Sequence, residues 1–444
     1  MLPFRPPPPP PDASVNDASG LTVRTRIRNS TVAFRLPAKE DLMPHRRSRL
    51  FGTSRKNSDD GRNRIAFRDH LPTLPLEVCV EHEPWGNEKY HPIPQEAPPG
   101  VPFRLEDVLG ESSLKSIREN GVLVFHAAGD TGGIKRPESQ RIVADKMEED
   151  FRRADRSSPP SFFYIIGDVV YYHGEPAEYY PQFYEPYLHY PAPIFAIPGN
   201  HDGDPNPRNP ESRSLDGFLE NFCAPAPVLT PDAGDANRTA MTQPNPYWVL
   251  DGPWLRIVGL YTNVPEGGEV REKQKEWFCE QFRSAPEDKT LILALHHPIY
   301  SADAHHGGSL AMERLLFWAA ERSGKLPDLI LTGHVHNFQR FTLTREGKEI
   351  PVLVAGSGGY WYLHSMAPVL RGIQGPVRIE GREDLVLESY CDDRHGFLRL
   401  EASATDLLCE YFTVPRPHES WHSAPLLWDR FRLDRQTGRL SLGR

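Results

Sequence analysis

Five short apolar runs, each cut off by a Gly, Asp, Asn or His, constrain this chain more than anything else in it. Val122-Leu123-Val124-Phe125 runs through His126-Ala127-Ala128 into Gly129-Asp130, and residues 162–166 stop at Gly167-Asp168. Residues 193–197 close on Pro198-Gly199-Asn200-His201-Asp202, residues 291–295 on His296-His297-Pro298, and residues 328–332 on Gly333-His334-Val335-His336. Runs this short and this apolar suit strands buried on both faces. A further strand is expected over 254–260, and helices over 105–120, 140–154, 271–283 and 312–321. Strands alternating with helices predict an α/β fold, and open α/β sheets bind ligands at the carboxyl ends of their strands.

The residues at those ends share a chemistry. Asp130, Asp168, Asn200, His296, His334 and His336 offer oxygen and nitrogen, and no thiolate. Singly, each has an ordinary structural explanation as a turn former, a cap or a hydrogen-bonded core histidine. Five successive strand ends of the same grammar are hard to explain that way. Carboxylate, amide and imidazole groups brought together suit two divalent or trivalent cations, with Asp168 the natural bridging carboxylate. His334 and His336, two apart, point the same way and can serve one cation each.

The rest of the chain sets limits. It has 444 residues and a net charge of −9, a balance that argues against a general nucleic-acid or anionic-membrane binder. Its five cysteines are dispersed with no Cys-x-x-Cys pair, which fits reduced thiols rather than a disulfide framework. No apolar stretch is long enough for a membrane span, and the N-terminus lacks the layout of a secretory signal, so a cytoplasmic location is expected. Residues 1–70, with six consecutive prolines from Pro6 to Pro11, read as a disordered or loosely attached arm; residues 1–60 carry 11 Lys/Arg against 6 Asp/Glu. Residues 71–120 form a lead-in, 121–415 the domain that carries the strand ends, and 416–444 an extension with a terminal hairpin. Tyr171, Tyr172, Tyr179, Tyr180, Phe183, Tyr184, Tyr187 and Tyr190 read as loop packing, and Gly356-Ser357-Gly358-Gly359 as a turn shaping a rim.

Through Asp130, Gly167-Asp168, Gly199-Asn200-His201-Asp202, His296 and Gly333-His334-Val335-His336, the sequence resembles the calcineurin-like metallophosphoesterases. Within them it is most similar to the purple acid phosphatases, whose Gly-Asp-x-Gly motif matches Gly129-Asp130-Thr131-Gly132 and whose Gly-Asp-x-x-Tyr motif matches through Tyr171. The likeness covers about residues 121–410. It implies a four-layer αββα sandwich of two mixed sheets flanked by helices; plant-type members carry a β-sandwich before this domain, and residues 1–120 depart from them in lacking the alternating strands it needs. It further implies one metal held by Asp130, Asp168, Tyr171 and His336, and a second held by Asp168, Asn200, His296 and His334. A Tyr171 phenolate favours Fe(III), with Fe(II), Zn or Mn as its partner.

The activity implied is hydrolysis of a small-molecule phosphate ester, by hydroxide attack in line on phosphorus between two cations ~3.5–4 Å apart. Monoesters are expected ahead of diesters such as cyclic nucleotides or phospholipid head groups, and a metal-binding scaffold without turnover is the rival from another class. His201 is the candidate proton donor or charge stabiliser. His305 and His306, nine and ten residues after His296, match the spacing of the family's phosphate-binding and proton-donating pair. His297 adjoins a proposed ligand, but His296 matches the family's His-x-Pro pattern.

Overall fold

The computed structural model describes residues 71–83, 90, 91, 93, 102–153 and 158–442. The apolar runs form strands that are covered on both sides. Phe163–Ile166, Ile194–Ile197, Thr290–Ala294 and Leu329–Thr332 are buried at every position. Side chains along a strand leave alternately to opposite faces. Phe163 and Ile165 therefore join a core with Val143 and Met147 of the Glu138–Asp150 helix, while Tyr164 and Ile166 join a second core with Trp248, Ile257 and Ile292. The Tyr164 and Trp248 rings lie 6.0 Å apart across that second core.

Two mixed sheets face each other over it. Among the described residues one has seven strands: Val122–Ala128, Phe163–Ile166 and Ile194–Ile197 run parallel, and Gly396–Ser403, Asp406–Thr413, Leu426–Asp434 and Arg439–Leu442 extend them antiparallel. The other has ten, built on parallel Leu255–Gly259, Thr290–Ala294, Leu329–Thr332 and Lys348–Ala355. Helices cover its outer face. Glu272–Arg283 buries Phe278 and Phe282, and Leu310–Ser323 buries Met312, Leu315, Leu316 and Ala319, spacings of three and four that keep one stripe inward. The second of these begins at Ser309, whose hydroxyl accepts from the Met312 N–H. The architecture is the expected four-layer sandwich.

Several elements differ from expectation. The 105–120 helix breaks before Glu111 into a short turn, Leu105–Asp107, and a helix, Glu111–Asn120. The 140–154 helix ends at Asp150. Trp248–Gly252, Phe338–Arg345, Val377–Ile379 and Arg382–Cys391 are strands that the apolar pattern did not announce. The sheets also run across the sequence-drawn boundaries at 120/121 and 415/416. Thr73–Leu74 and Phe103–Arg104 form the edges of the ten-stranded sheet, and Leu426–Asp434 pairs along the length of Asp406–Thr413. The arm expected over 1–70 lies outside the described residues. The aromatic segment divides: Tyr179, Phe183, Tyr184, Tyr187 and Tyr190 are core, while Tyr171 and Tyr172 turn to the strand ends. All five cysteines are free thiols, and no helix among the described residues is long and apolar enough to cross a membrane.

Candidate metal centre

The two sheets bring their parallel strand ends to one place. Asp130, Asp168, Tyr171 and Asn200 follow strands of the seven-stranded sheet, and His296, His334 and His336 follow neighbouring strands of the other. Oxygen donors thus come from one layer and nitrogen donors from the other. Asp130, Asp168 and His334 have φ of 57°, 52° and 66°, a left-handed backbone that is uncommon outside glycine and gathers at functional sites. Cross-connections hold it: the Asp130 N–H donates to the Gly167 carbonyl at 3.0 Å, and the His334 N–H to Asp130 Oδ2 at 2.8 Å.

The seven side chains expected at the site form two adjoining groups. In the first, Tyr171 Oη is 3.1 Å from Asp130 Oδ1 and 3.3 Å from His336 Nε2, which is itself 3.3 Å from Asp130 Oδ1. In the second, Asn200 Oδ1 lies 3.1 Å from His296 Nε2 and 3.0 Å from His334 Nδ1. Asp168 stands between the groups, with Oδ2 3.4 Å from His296 Nε2. His297 points elsewhere, its Nδ1 2.6 Å from the Thr262 hydroxyl.

The donor set fits a pair of cations on the chemistry of its hydrogen bonds. His296 Nδ1 meets the Ile166 carbonyl at 2.8 Å, His336 Nδ1 meets the Tyr362 carbonyl at 3.0 Å, and His334 Nε2 meets Glu266 Oε1 at 3.3 Å. Each acceptor takes the proton of the nitrogen that faces it. The other nitrogen of each neutral ring then turns a lone pair into the cluster, where it meets the oxygens of Asp130, Asp168 and Asn200. Lone pairs facing lone pairs repel unless a cation or a proton sits among them. Asp168 Oδ2 sharpens the point: it is buried and accepts no hydrogen bond, a costly state for a carboxylate.

The electrostatics of the cation-free cluster agree. Burial pushes the Asp130 carboxyl up to about 7. Burial would also raise Asp168, but the His296, His201 and His334 imidazoles outweigh it and hold that carboxyl far below the usual range. Burial would lower His296, yet the Asp168 and Asp130 carboxylates raise it to about 9. His336, mainly through burial, is pushed well below the ordinary histidine range. Protons held in this way would be released on binding a cation.

Three expected imidazoles surround the mouth. His201 donates from Nδ1 to the Tyr172 carbonyl at 2.9 Å, and its backbone N–H donates to Asp168 Oδ1 at 2.9 Å. His305 and His306 sit on a turn whose N–H groups both donate to Asp303 Oδ2. His305 is exposed, its ring 4.7 Å from His364, while His306 leans to His334 with ring centroids 4.7 Å apart. Sequence reasoning missed Glu266, His364 and Tyr360, none of which follows one of the five runs. His364 stacks on His336 at 4.2 Å, and Tyr360 lies 4.3 Å from the Tyr171 ring. The Gly-rich turn at 356–359 delivers Tyr360: the Gly358 N–H bonds the Gly129 carbonyl and the Tyr360 N–H the Asp130 carbonyl. Lys135 lies over the Tyr172 and Trp361 rings at the rim.

Comparisons with known proteins point the same way. Residues 123–338 match the family model of the calcineurin-like phosphoesterases. A 3',5'-cyclic adenosine monophosphate phosphodiesterase of Vibrio vulnificus is 24% identical over 232 residues, 52% of this chain and 72% of that protein. A purple acid phosphatase from yellow lupin, Lupinus luteus, superposes with a TM-score of 0.50 at 18% identity, over 70% of this chain and 54% of the lupin chain. Strand ends converging from two stacked sheets and a family match spanning all of those ends support one assignment: residues 123–338 form a calcineurin-like phosphoesterase domain.

Proposed function

We propose that this protein is a phosphomonoesterase working with two bound metal ions. The observation that carries the reading is the meeting of seven donors in two adjoining groups around Asp168, whose buried Oδ2 faces His296 at 3.4 Å without a hydrogen bond. Asp130, Asp168, Tyr171 and His336 would hold one ion, and Asp168, Asn200, His296 and His334 the other. Two such ions, when bound, lower the pKa of water and draw charge from phosphate oxygens.

The chain's own part lies in placement and proton transfer. The His201 ring lies 4.6 Å from that of Tyr171 and its backbone N–H holds Asp168, which places it beside the donors, with Nε2 left free by the bond from Nδ1 to the Tyr172 carbonyl. In its protonated form that nitrogen can supply the proton a leaving alkoxide needs. His305 and His306 approach from the loop opposite and offer donors to the phosphate oxygens. A buried phenol at Tyr171, against Asp130, would as its phenolate select Fe(III) for the first ion, with Fe(II), Zn or Mn in the second. The five free cysteines fit a reducing, cytoplasmic setting.

A second reading has its own support. The Vibrio relative is a cyclic-nucleotide phosphodiesterase, and the Tyr360, Trp361 and Tyr172 rings at the mouth offer surfaces on which a base could stack. Paired assays decide between them: purified protein loaded with metal is given a phosphomonoester and the matching diester. Faster turnover of the monoester is expected, and a strong preference for the diester would replace the first reading by the second. A loaded protein that cleaves neither, with its metals bound, is a scaffold.

A further inference from the structure

The loop 261–269 follows none of the five metal-bearing strands and carries no motif, yet it sets one carboxylate oxygen between two imidazoles. Glu266 Oε1 is 2.8 Å from His306 Nδ1 and 3.3 Å from His334 Nε2. The loop is firmly held. Thr262 bonds His297, the Glu269 N–H closes back on the Thr262 carbonyl at 2.6 Å, and the Gly267 carbonyl accepts the Ser309 hydroxyl at the head of a helix. His82 packs on the same turn, its ring 2.6 Å from where a Cβ at Gly267 would lie and its Nδ1 3.9 Å from Glu266 Oε1.

The two imidazoles belong to different parts of the chemistry. His334 turns Nδ1 to Asn200, into the proposed second ion site, and an imidazole nitrogen binds a cation only through a lone pair. Its proton must then sit on Nε2, where Glu266 receives it. His306 likewise gives its Nδ1 proton to Glu266, which leaves Nε2 for the substrate side. A carboxylate behind a metal-binding histidine orients the ring and raises its basicity, and losing one typically weakens metal binding or activity about 10–100-fold.

We propose that Glu266 is a positioning residue shared by the second ion site and by His306, fixing the tautomer and orientation of both rings. Retention of that ion and handling of the phosphate would then depend on one side chain. The proposal rests on the functional reading above. The competing arrangement is a third ion held by Glu266, His306 and His334, whose donor atoms lie within 4.8 Å of one another. It would make His334 an imidazolate bridging two ions, which the hydrogen-bonded arrangement avoids.

The test is a Zn²⁺ titration of metal-free full-length protein by calorimetry, with steady-state kinetics on 4-nitrophenyl phosphate, for wild type, Glu266→Ala, Glu266→Gln and His306→Ala. Wild type is expected to take up two ions. Glu266→Ala should bind the second about 10–100-fold more weakly and lose kcat even at saturating Zn²⁺. Glu266→Gln, whose amide oxygen can still accept, should recover part of both effects. His306→Ala should keep both affinities and lose kcat alone. If two ions bind to wild type and to both Glu266 variants with equal affinity, the proposal fails while the functional reading stands. Wild type with a third ion that Glu266→Ala lacks also overturns it, in favour of a third site. Wild type that takes up fewer than two ions overturns the functional reading, and the role of Glu266 with it.

Discussion

The Cα of Gly199 sits so close beneath Asp168 that a Cβ there would lie 2.1 Å from Oδ1 and 2.5 Å from the Asp168 backbone nitrogen. Neither atom is the free end of a flexible chain, because Asp168 Oδ1 already accepts the His201 N–H. The glycine before Asn200 is therefore a requirement of the site. Gly199→Ala should cost about 1–3 kcal/mol by overpacking and displace the bridging carboxylate. A shift of about 1 Å at such a place can cost 10²-fold in rate. Thermal melts of the metal-free protein and kcat of the loaded protein measure the two effects separately.

Asp168→Asn removes a buried charge that the His296, His201 and His334 imidazoles stabilise in the cation-free protein, so the metal-free variant should melt somewhat lower than wild type. Its response to metal should differ sharply. A ligand at 100 times its Kd stabilises the folded state by about 2.7 kcal/mol, and wild type should show a corresponding rise in Tm that Asp168→Asn lacks. A variant that keeps the rise removes Asp168 from the proposed ligand set.

His201 is proposed to act on the leaving group, so the effect of replacing it should depend on that group. His201→Ala should lower kcat by about 10²–10⁴-fold for an alkyl phosphate, the usual range for general acid help, and by much less for a nitrophenyl phosphate, whose phenolate leaves without a proton. Metal content should not change. Equal losses on both substrates would assign His201 to binding.

Tyr171 is proposed to select the first ion. With Fe(III) in that site, a phenolate ligand should give a visible charge-transfer band, and Tyr171→Phe should abolish it. An iron-loaded wild type without colour takes Tyr171 out of the donor set.

Far from the site, His126 is fully buried beside Asp150 at 3.2 Å, and Arg399 bonds the same carboxylate oxygen at 2.8 Å. Burial holds the His126 pKa below its ordinary value near 6.5. Below pH 6.5 the unfolded chain therefore binds a proton that the folded chain refuses, and stability falls with falling pH, by up to about 1.4 kcal/mol per unit for one proton. Asp150 acts in the same direction at lower pH. Burial would raise it, but His126 and Arg399 lower it on balance, so its contribution is present above the unfolded carboxyl value and lost as pH falls through the folded one. Urea melts from pH 7 to pH 5 should show a shallower pH slope in His126→Asn than in wild type.

The strand ends were legible because two signals coincide there, an apolar run long enough to be buried on both faces and a donor at its terminus. Asp130, Asp168, Asn200, His296, His334 and His336 all announce themselves in this way. Phe338–Arg345 did not, and the cause is physical. Gln339 and Arg340 look like surface residues, but Arg340 is buried and bonds Asp429 through two nitrogens, a partner 89 positions away. Glu266 was hidden for a related reason. Its loop has no periodicity, and its closeness to His306 and His334 arises only when neighbouring strands of the ten-stranded sheet align. Residues 416–444 read as an extension with a terminal hairpin, yet Leu426–Asp434 finds an open sheet edge in Asp406–Thr413 and extends it.

The division of donors between the layers has a consequence beyond chemistry. An ion resting on either wall alone finds half a coordination shell, oxygen on one side or nitrogen on the other. Filling the shell bolts the sheets together at the rim of their shared core. Chelation should therefore raise hydrogen exchange at the ends of Phe163–Ile166 and Leu329–Thr332 together, as two leaves of one joint released by drawing the same pin.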